Sequence, residues 1–272
     1  AEYDDCGRNY DLYTIENKKE KKLGTSFISG LTPYIHPKKI KDIDINYVQY
    51  GTGKDVVLLH GWGQNIQMMD PLGKLLKNCR ITILDLPGFG SSMEPSFAYN
   101  ISDYASLLHE FLKELKIDNP ILIGHSFGGR IAIYYASTYP VSKLVLFGSP
   151  FIKRENDSLR LKVFKSLKKI KFLNNLAEVM KNHLGSEDYK NASGVMRQIL
   201  VNTVNTDLSS NASKITCPTL LIWGNNDEAV PVSEAKKLES LIDDSALIVL
   251  NGTHYCYLEN LNHISCILEN FF

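Results

Sequence analysis

The chain has 272 residues, 44% of them apolar and 22% charged, with Lys+Arg and Asp+Glu balanced at 30 each. That length fits one large α/β domain or two small ones with a sizeable core, and the balance leaves no net field to draw the whole protein to nucleic acid or to a membrane. No apolar run approaches the ~20 residues of a membrane span.

Ala1-Glu2-Tyr3-Asp4-Asp5 is acidic and carries no h-region, so it does not read as an intact signal peptide. A cytoplasmic location is the expectation, with an exported form whose leader has been removed as the alternative. The cysteines, Cys6, Cys79, Cys217, Cys256 and Cys266, are odd in number and form no C-x-x-C. Buried free thiols are expected rather than a disulfide framework or a metal site.

Residues 1–38 read as an N-terminal extension. Glu16 to Lys22 is a solvated charge run, Pro33 and Pro37 punctuate the stretch after it, and only the patch Phe27-Ile28-Ser29-Gly30-Leu31 is apolar enough to pack on the body. From Ile40 the pattern becomes regular. Ile43 to Val48 predicts a strand and Tyr50 to Gly53 a turn. Val56-Val57-Leu58-Leu59 predicts a fully buried strand that ends in His60-Gly61-Trp62-Gly63. A helix is expected from near Gln67 to Leu76, and a strand over Ile81 to Leu84 that ends in Asp85-Leu86-Pro87-Gly88-Phe89-Gly90. Ile101 to Leu115 has helical apolar spacing.

Next comes Ile121-Leu122-Ile123-Gly124-His125-Ser126-Phe127-Gly128-Gly129, an apolar strand, then G-x-S-x-G, then a helical run to about Tyr139. Strand, sharp turn and helix are the context of a nucleophile elbow. Gly124 and Gly128 are expected where a Cβ would strike the neighbouring strand or helix. A strand over Lys143 to Phe147 closes with Gly148-Ser149-Pro150.

From Phe151 to about Ser213 the strand pattern stops. Leu159, Val163, Leu167 and Ile170 share a helical face, and Val195 to Val204 is again helical. A helical insertion between two strands is expected to fold over the strand ends as a cap at 151–213. Segment 151–181 holds nine positive residues against three negative. The favoured explanation is the wet side of amphipathic helices; attraction to an anionic substrate or membrane surface is the lesser reading. The sheet resumes with Thr219 to Trp223, then Gly224-Asn225-Asn226-Asp227-Glu228-Ala229-Val230-Pro231. A helix over Ser233 to Ile242, a strand over Ala246 to Leu250, the loop Asn251-Gly252-Thr253-His254 and a last helix from about Leu258 complete the chain.

Strands apolar on both faces that alternate with helices predict a mostly parallel sheet covered on both sides. Ligands bind such sheets beyond the carboxyl ends of the strands, where the loops at 60–63, 85–90 and 124–128 would gather.

H-G-W-G at 60–63, D-L-P-G-F-G at 85–90, G-H-S-F-G-G at 124–129, G-x-x-D-x-x-x-P at 224–231 and the histidine after the last strand make the chain resemble the α/β-hydrolase superfamily from about residue 40 onward. The resemblance implies the α/β-hydrolase fold, with core parts at 39–150 and 214–272 around the cap. It implies Ser126 as nucleophile, His254 as its base and Asp227 as the acid that orients His254, in the chain order of that family. The backbone N–H groups of Trp62 and Phe127 would form the oxyanion hole, and the Trp62 side chain would line the acyl pocket. His60 and Asp85 are expected to be structural, and His263 lies inside the last helix. The expected activity is hydrolysis of small or medium carboxylic esters, with no metal or organic cofactor. The same triad also serves aminopeptidases, thioesterases, carbon–carbon bond hydrolases, perhydrolases and slow-turnover receptors. Asn251-Gly252-Thr253-His254 departs from the family, where Gly often directly precedes the histidine, and Asn262-His263 replaces the Pro of a common E-x-P.

Overall fold

The computed structural model describes residues 10–16, 19–26, 34–153 and 193–272. The helical face expected over 159–170 and most of the basic segment fall outside these residues, as does the Phe27–Leu31 patch.

Eight strands form one sheet: β3 (Tyr34–Ile40), β4 (Ile43–Gly51), β5 (Lys54–Leu59), β6 (Cys79–Leu84), β7 (Ile121–His125), β8 (Lys143–Phe147), β9 (Thr219–Gly224) and β10 (Ser245–Leu250). Their order across it is β10-β9-β8-β7-β5-β6-β4-β3. Every pair from β6 through β10 is parallel, and β4 joins β6 and β3 antiparallel. The helices of the described residues are α1 (Ile66–Gly73), α2 (Ile101–Glu114), α3 (Phe127–Ala136), α4 (Gly194–Asn205), α5 (Ser209–Ala212), α6 (Val232–Glu239), α7 (Cys256–Glu259) and α8 (Leu261–Phe271). This is the α/β-hydrolase architecture.

Side chains alternate across the sheet, so a strand apolar at every position feeds two cores. Val57, Leu59, Leu122, Leu144 and Leu221 pack with α2, α3 and α6 on one face. Val56, Leu58, Ile123, Val145 and Ile222 pack with α1 and α8 on the other. The continuous apolar runs of β5 and β7 are therefore the mark of strands covered on both sides.

Two departures from the sequence expectations stand at the N-terminus. Strands β1 (Tyr10–Glu16) and β2 (Lys19–Ser26) pair antiparallel as a separate hairpin where only a solvated leader was expected. The eight-stranded sheet also begins at Tyr34, inside the stretch assigned to the 1–38 extension. β3 is an edge strand whose register slips between Ile35 and Lys38. Pro37 sits in that slip. Proline has no N–H to give to a ladder, and an irregular edge is where a sheet tolerates it. At the other end, the single helix expected from Leu258 is broken at Asn260 into α7 and α8.

Candidate active site

All the parallel strands point their carboxyl ends the same way, so the loops after β5 to β10 meet along one edge. Ser126 lies between β7 and α3 with φ 52 and ψ −109. That conformation costs a non-glycine residue about 1–3 kcal/mol and persists only where the surroundings impose it. They do: Ser126 N–H donates to Phe147 O at 3.0 Å and Gly128 N–H donates to His60 O at 3.1 Å. A Cβ on Gly124 would stand 2.7 Å from Gly128 O, and one on Gly128 would strike the carbonyl oxygens of Leu59 and His60. Both glycines thus allow strand, turn and helix to pass at the distance the elbow needs.

Asp227 and His254 reach the same edge from the ends of β9 and β10, which pair residue for residue up to Gly224 and Leu250. His254 Nδ1 lies 2.8 Å from Asp227 Oδ2, and both side chains are buried. Asp227 Oδ1 accepts the N–H of Ala229 at 2.9 Å and of Val230 at 2.8 Å, so the carboxylate cannot rotate away. The two loops are stitched together besides: Asn226 N–H donates to Gly252 O at 2.9 Å and Gly252 N–H to Asn225 Oδ1 at 3.1 Å. Thr253, in place of the glycine common before this histidine, gives its N–H and its hydroxyl to the Glu259 carboxylate, both at 2.7 Å.

Between this pair and the elbow stands Gly148, with φ 48. A Cβ there would meet His254 Nδ1 at 2.9 Å and Asp227 Oδ2 at 3.0 Å. Since Ser126 is bonded to the residue just before Gly148, the serine and the buried pair share one small region. Ser126 Oγ itself makes no cap hydrogen bond and has no partner among the described residues. The structure therefore closes the Asp227–His254 half of the expected constellation and leaves the serine–histidine hydrogen bond unmade.

Trp62 and Phe127 meet edge to face, ring centroids 5.2 Å apart, and Phe89 packs on both at 4.9 and 5.9 Å. Hydrogen bonds among the described residues account for the N–H of Gly61, Gln64 and Gly128, but for neither Trp62 nor Phe127. Phe127 opens α3, so its N–H also lies at the positive end of a helix dipole.

The other candidates are structural. His60 Nε2 accepts from Leu86 N–H at 2.9 Å, so Nδ1 carries the proton and donates to Gly61 O at 2.7 Å. The ring ties the 60–63 loop to the 85–90 loop, and burial pushes its pKa down. Asp85 accepts from Asn46 Nδ2, Ile66 N–H and Ser91 N–H, at 2.7, 2.8 and 2.8 Å. His263 is exposed on α8. Sequence reading did not single out Gln64, Glu259 or Gly148. Gln64 holds Gly61 N–H and reaches Tyr255, 191 positions away, and no short motif reports such a partner. Among the described residues no cluster of His, Cys, Asp or Glu could hold a metal ion.

The fold is that of the α/β hydrolases. A family model described as the alpha/beta hydrolase fold matches residues 55–161. A 2-hydroxy-6-oxononadienedioate/2-hydroxy-6-oxononatrienedioate hydrolase of Pseudomonas putida is 28% identical over 266 residues, covering 85% of this chain and 92% of that protein. An esterase from Exiguobacterium antarcticum superposes with TM-score 0.74 at 24% identity, over 89% of this chain and 99% of that one. A bromoperoxidase from Bacillus anthracis does so with TM-score 0.74 at 24% identity, over 88% and 99%. The chain has the α/β-hydrolase fold.

Proposed function

We propose that the chain is a serine hydrolase that cleaves carboxylic esters of small or medium acyl groups through an acyl-enzyme on Ser126. The observation that carries this reading is the buried 2.8 Å contact of His254 Nδ1 with Asp227 Oδ2, held on the strand edge that also presents Ser126. A serine hydroxyl is a poor nucleophile at neutral pH and needs a base. With Nδ1–H donated to Asp227, the lone pair of His254 is on Nε2, the nitrogen free to take the Ser126 proton. Attack of Oγ on the ester carbonyl then places negative charge on its oxygen, toward the N–H groups of Trp62 and Phe127. His254 returns the proton to the departing alcohol, and a water activated by His254 releases the acid. The scheme uses no cofactor. We assign 39–150 and 214–272 to the hydrolytic core, with β3 joined to it, and 151–213 to a helical cap over the strand ends. The aromatic wall of Trp62, Phe89 and Phe127 suits an apolar acyl group.

A second reading keeps the site and changes the bond cleaved, supported by the Pseudomonas relative named for hydrolysing an oxo-diene diacid. A panel of p-nitrophenyl esters, thioesters, aminoacyl amides and oxo-dienoic acids separates these. The expected outcome is ester turnover that Ser126→Ala lowers by about a thousandfold or more, with loss of fluorophosphonate labelling. Full ester activity in Ser126→Ala overturns the nucleophile assignment. Folded wild-type protein that resists the probe points instead to a ligand-binding role.

A further inference from the structure

We propose that Arg130 is a positioning residue that fastens both roots of the segment joining β8 to β9, thereby seating α4 beside the aromatic wall and setting which acyl groups the site accepts. The selectivity half of this rests on the ester-hydrolase reading above; the fastening half does not.

Arg130 stands one helical turn after the elbow, and its N–H closes the first turn of α3 on Ser126 O at 3.2 Å. Its side chain is buried, with 3% of the residue exposed. Nη1 donates to Pro150 O at 3.0 Å, and Nη2 donates to Thr206 O. Pro150 is where the chain leaves the sheet after β8, and Thr206 is the C-cap of α4, where it returns. One guanidinium thus grips the outgoing and the incoming root of the same segment. The planar fork of arginine can donate in two fixed directions at once, which a lysine ammonium on a flexible stem does not reproduce.

The roots are also tied to each other. Leu208 N–H donates to Phe151 O at 2.8 Å, and the Asp207 carboxylate accepts Ser209 N–H at 2.8 Å and the backbone N–H of Lys153. These ties hold the two roots side by side, but none of them reaches the sheet or α3. Arg130 binds the closed pair to the first turn of the helix that begins after Ser126, while Asn211 Nδ2, donating to Ser137 Oγ at 2.9 Å, ties the incoming side to the far end of that helix.

What the roots carry is α4. Its face of Met196, Ile199 and Thr203 is buried. Met196 lies directly against Gly88, where a Cβ would collide with its thioether. The Ser193 hydroxyl, at the N-cap of α4, bonds to Glu94, and Asn202 Nδ2 reaches Tyr99 O at 3.5 Å. Thus α4 rests on the loop 85–99, and that loop supplies Phe89 to the wall with Trp62 and Phe127. A slack root would let α4 lift from this loop and loosen the wall next to the acyl site. The side chains of Ser126, His254 and Asp227 draw on none of these contacts.

The test compares wild type with Arg130→Met and Arg130→Lys in two measurements. The first is hydrogen exchange on protein without substrate. Two hydrogen bonds from a charged donor are lost in Arg130→Met, so the amides of α4 should exchange faster by about tenfold or more, with β5, β7 and β8 unchanged. The second is steady-state kinetics with p-nitrophenyl acetate and p-nitrophenyl octanoate. KM for the octanoate should rise about tenfold while its kcat and both constants for the acetate stay within a factor of about two. Arg130→Lys keeps the charge and loses the second arm, so α4 exchange and octanoate KM should fall between the other two. Should Arg130→Met not fold, Arg130→Lys alone decides. Unchanged α4 exchange overturns the proposal, as does a lysine variant equal to wild type, or an equal loss of kcat for both esters. Because exchange is read without substrate, failure of the ester reading does not disturb it.

Discussion

His125, the residue immediately before the serine, sets its Nε2 3.0 Å from the backbone carbonyl of His254. The chain positions proposed as nucleophile and base are thereby tied to one another although Ser126 and His254 stand 128 positions apart. The other ring nitrogen faces Gln64 Oε1 at 3.3 Å, and the same oxygen accepts Gly61 N–H at 2.9 Å. One imidazole therefore spans the loop before Trp62 and the loop of His254.

That arrangement makes stability depend on pH. Burial, with the neighbouring His254 second, pushes the His125 pKa well below its ordinary value, and burial lowers that of His60 too. The folded protein then keeps both rings neutral while the unfolded chain takes up protons below about pH 6.5. Stability is full above that pH and is lost as pH falls below it, toward a limiting slope of about 1.4 kcal/mol per pH unit for each ring that stays neutral in the folded protein. Urea unfolding between about pH 7 and about pH 5.5 should show this slope, shallower in His125→Gln. A wild-type stability that does not change over that interval contradicts the account.

Asp227→Asn should spare the fold and cost the reaction. Asn Oδ1 can still accept from Ala229 and Val230, as the carboxylate does at 2.9 and 2.8 Å. The new amide donor faces His254 Nδ1, moving the imidazole proton to Nε2, where it blocks proton transfer from Ser126. We expect kcat for p-nitrophenyl acetate to fall by about 10³–10⁴ with the unfolding midpoint little changed.

Gly148→Ala should do both. A residue with a Cβ pays about 1–2 kcal/mol at φ 48. That Cβ also presses on His254 Nδ1 from 2.9 Å. The predicted result is a loss of about 2 kcal/mol in denaturant unfolding together with a fall in kcat far larger than the unfolded fraction explains. A variant as active as wild type would contradict the placement of the pair.

Glu259 holds the His254 loop by the Thr253 N–H and hydroxyl, both at 2.7 Å, from an exposed position. Glu259→Ala should cost about 1 kcal/mol and lower kcat severalfold without raising KM. Glu259→Gln, which keeps an acceptor oxygen, should recover part of both.

Much of this site could be read in one dimension because its parts are local. The apolar runs of β5 and β7, the strand-to-helix turn at Ser126, and Asp227 and His254 just past β9 and β10 each follow from a few neighbouring residues and the rule that parallel strands gather their ends. Edge strand β3 was hidden for the opposite reason. Pro37 reads as a break, and only its pairing across the turn with β4 makes the stretch a strand. The hairpin of β1 and β2 was masked by its lysines, since charge on a two-stranded ribbon carries no burial signal.

By itself, then, the sequence determined that a serine would sit on a sharp turn at the end of a buried strand, with an acid and a histidine following in that order. Tertiary structure decided the rest: that His254 faces Asp227 at 2.8 Å, that Gly148 leaves the space between them and the elbow, and that Arg130 reaches both Pro150 and Thr206. The physical reason is distance along the chain. A turn or an apolar strand is settled by adjacent residues. A hydrogen bond between groups dozens of positions apart exists only once the sheet has fixed where every strand ends.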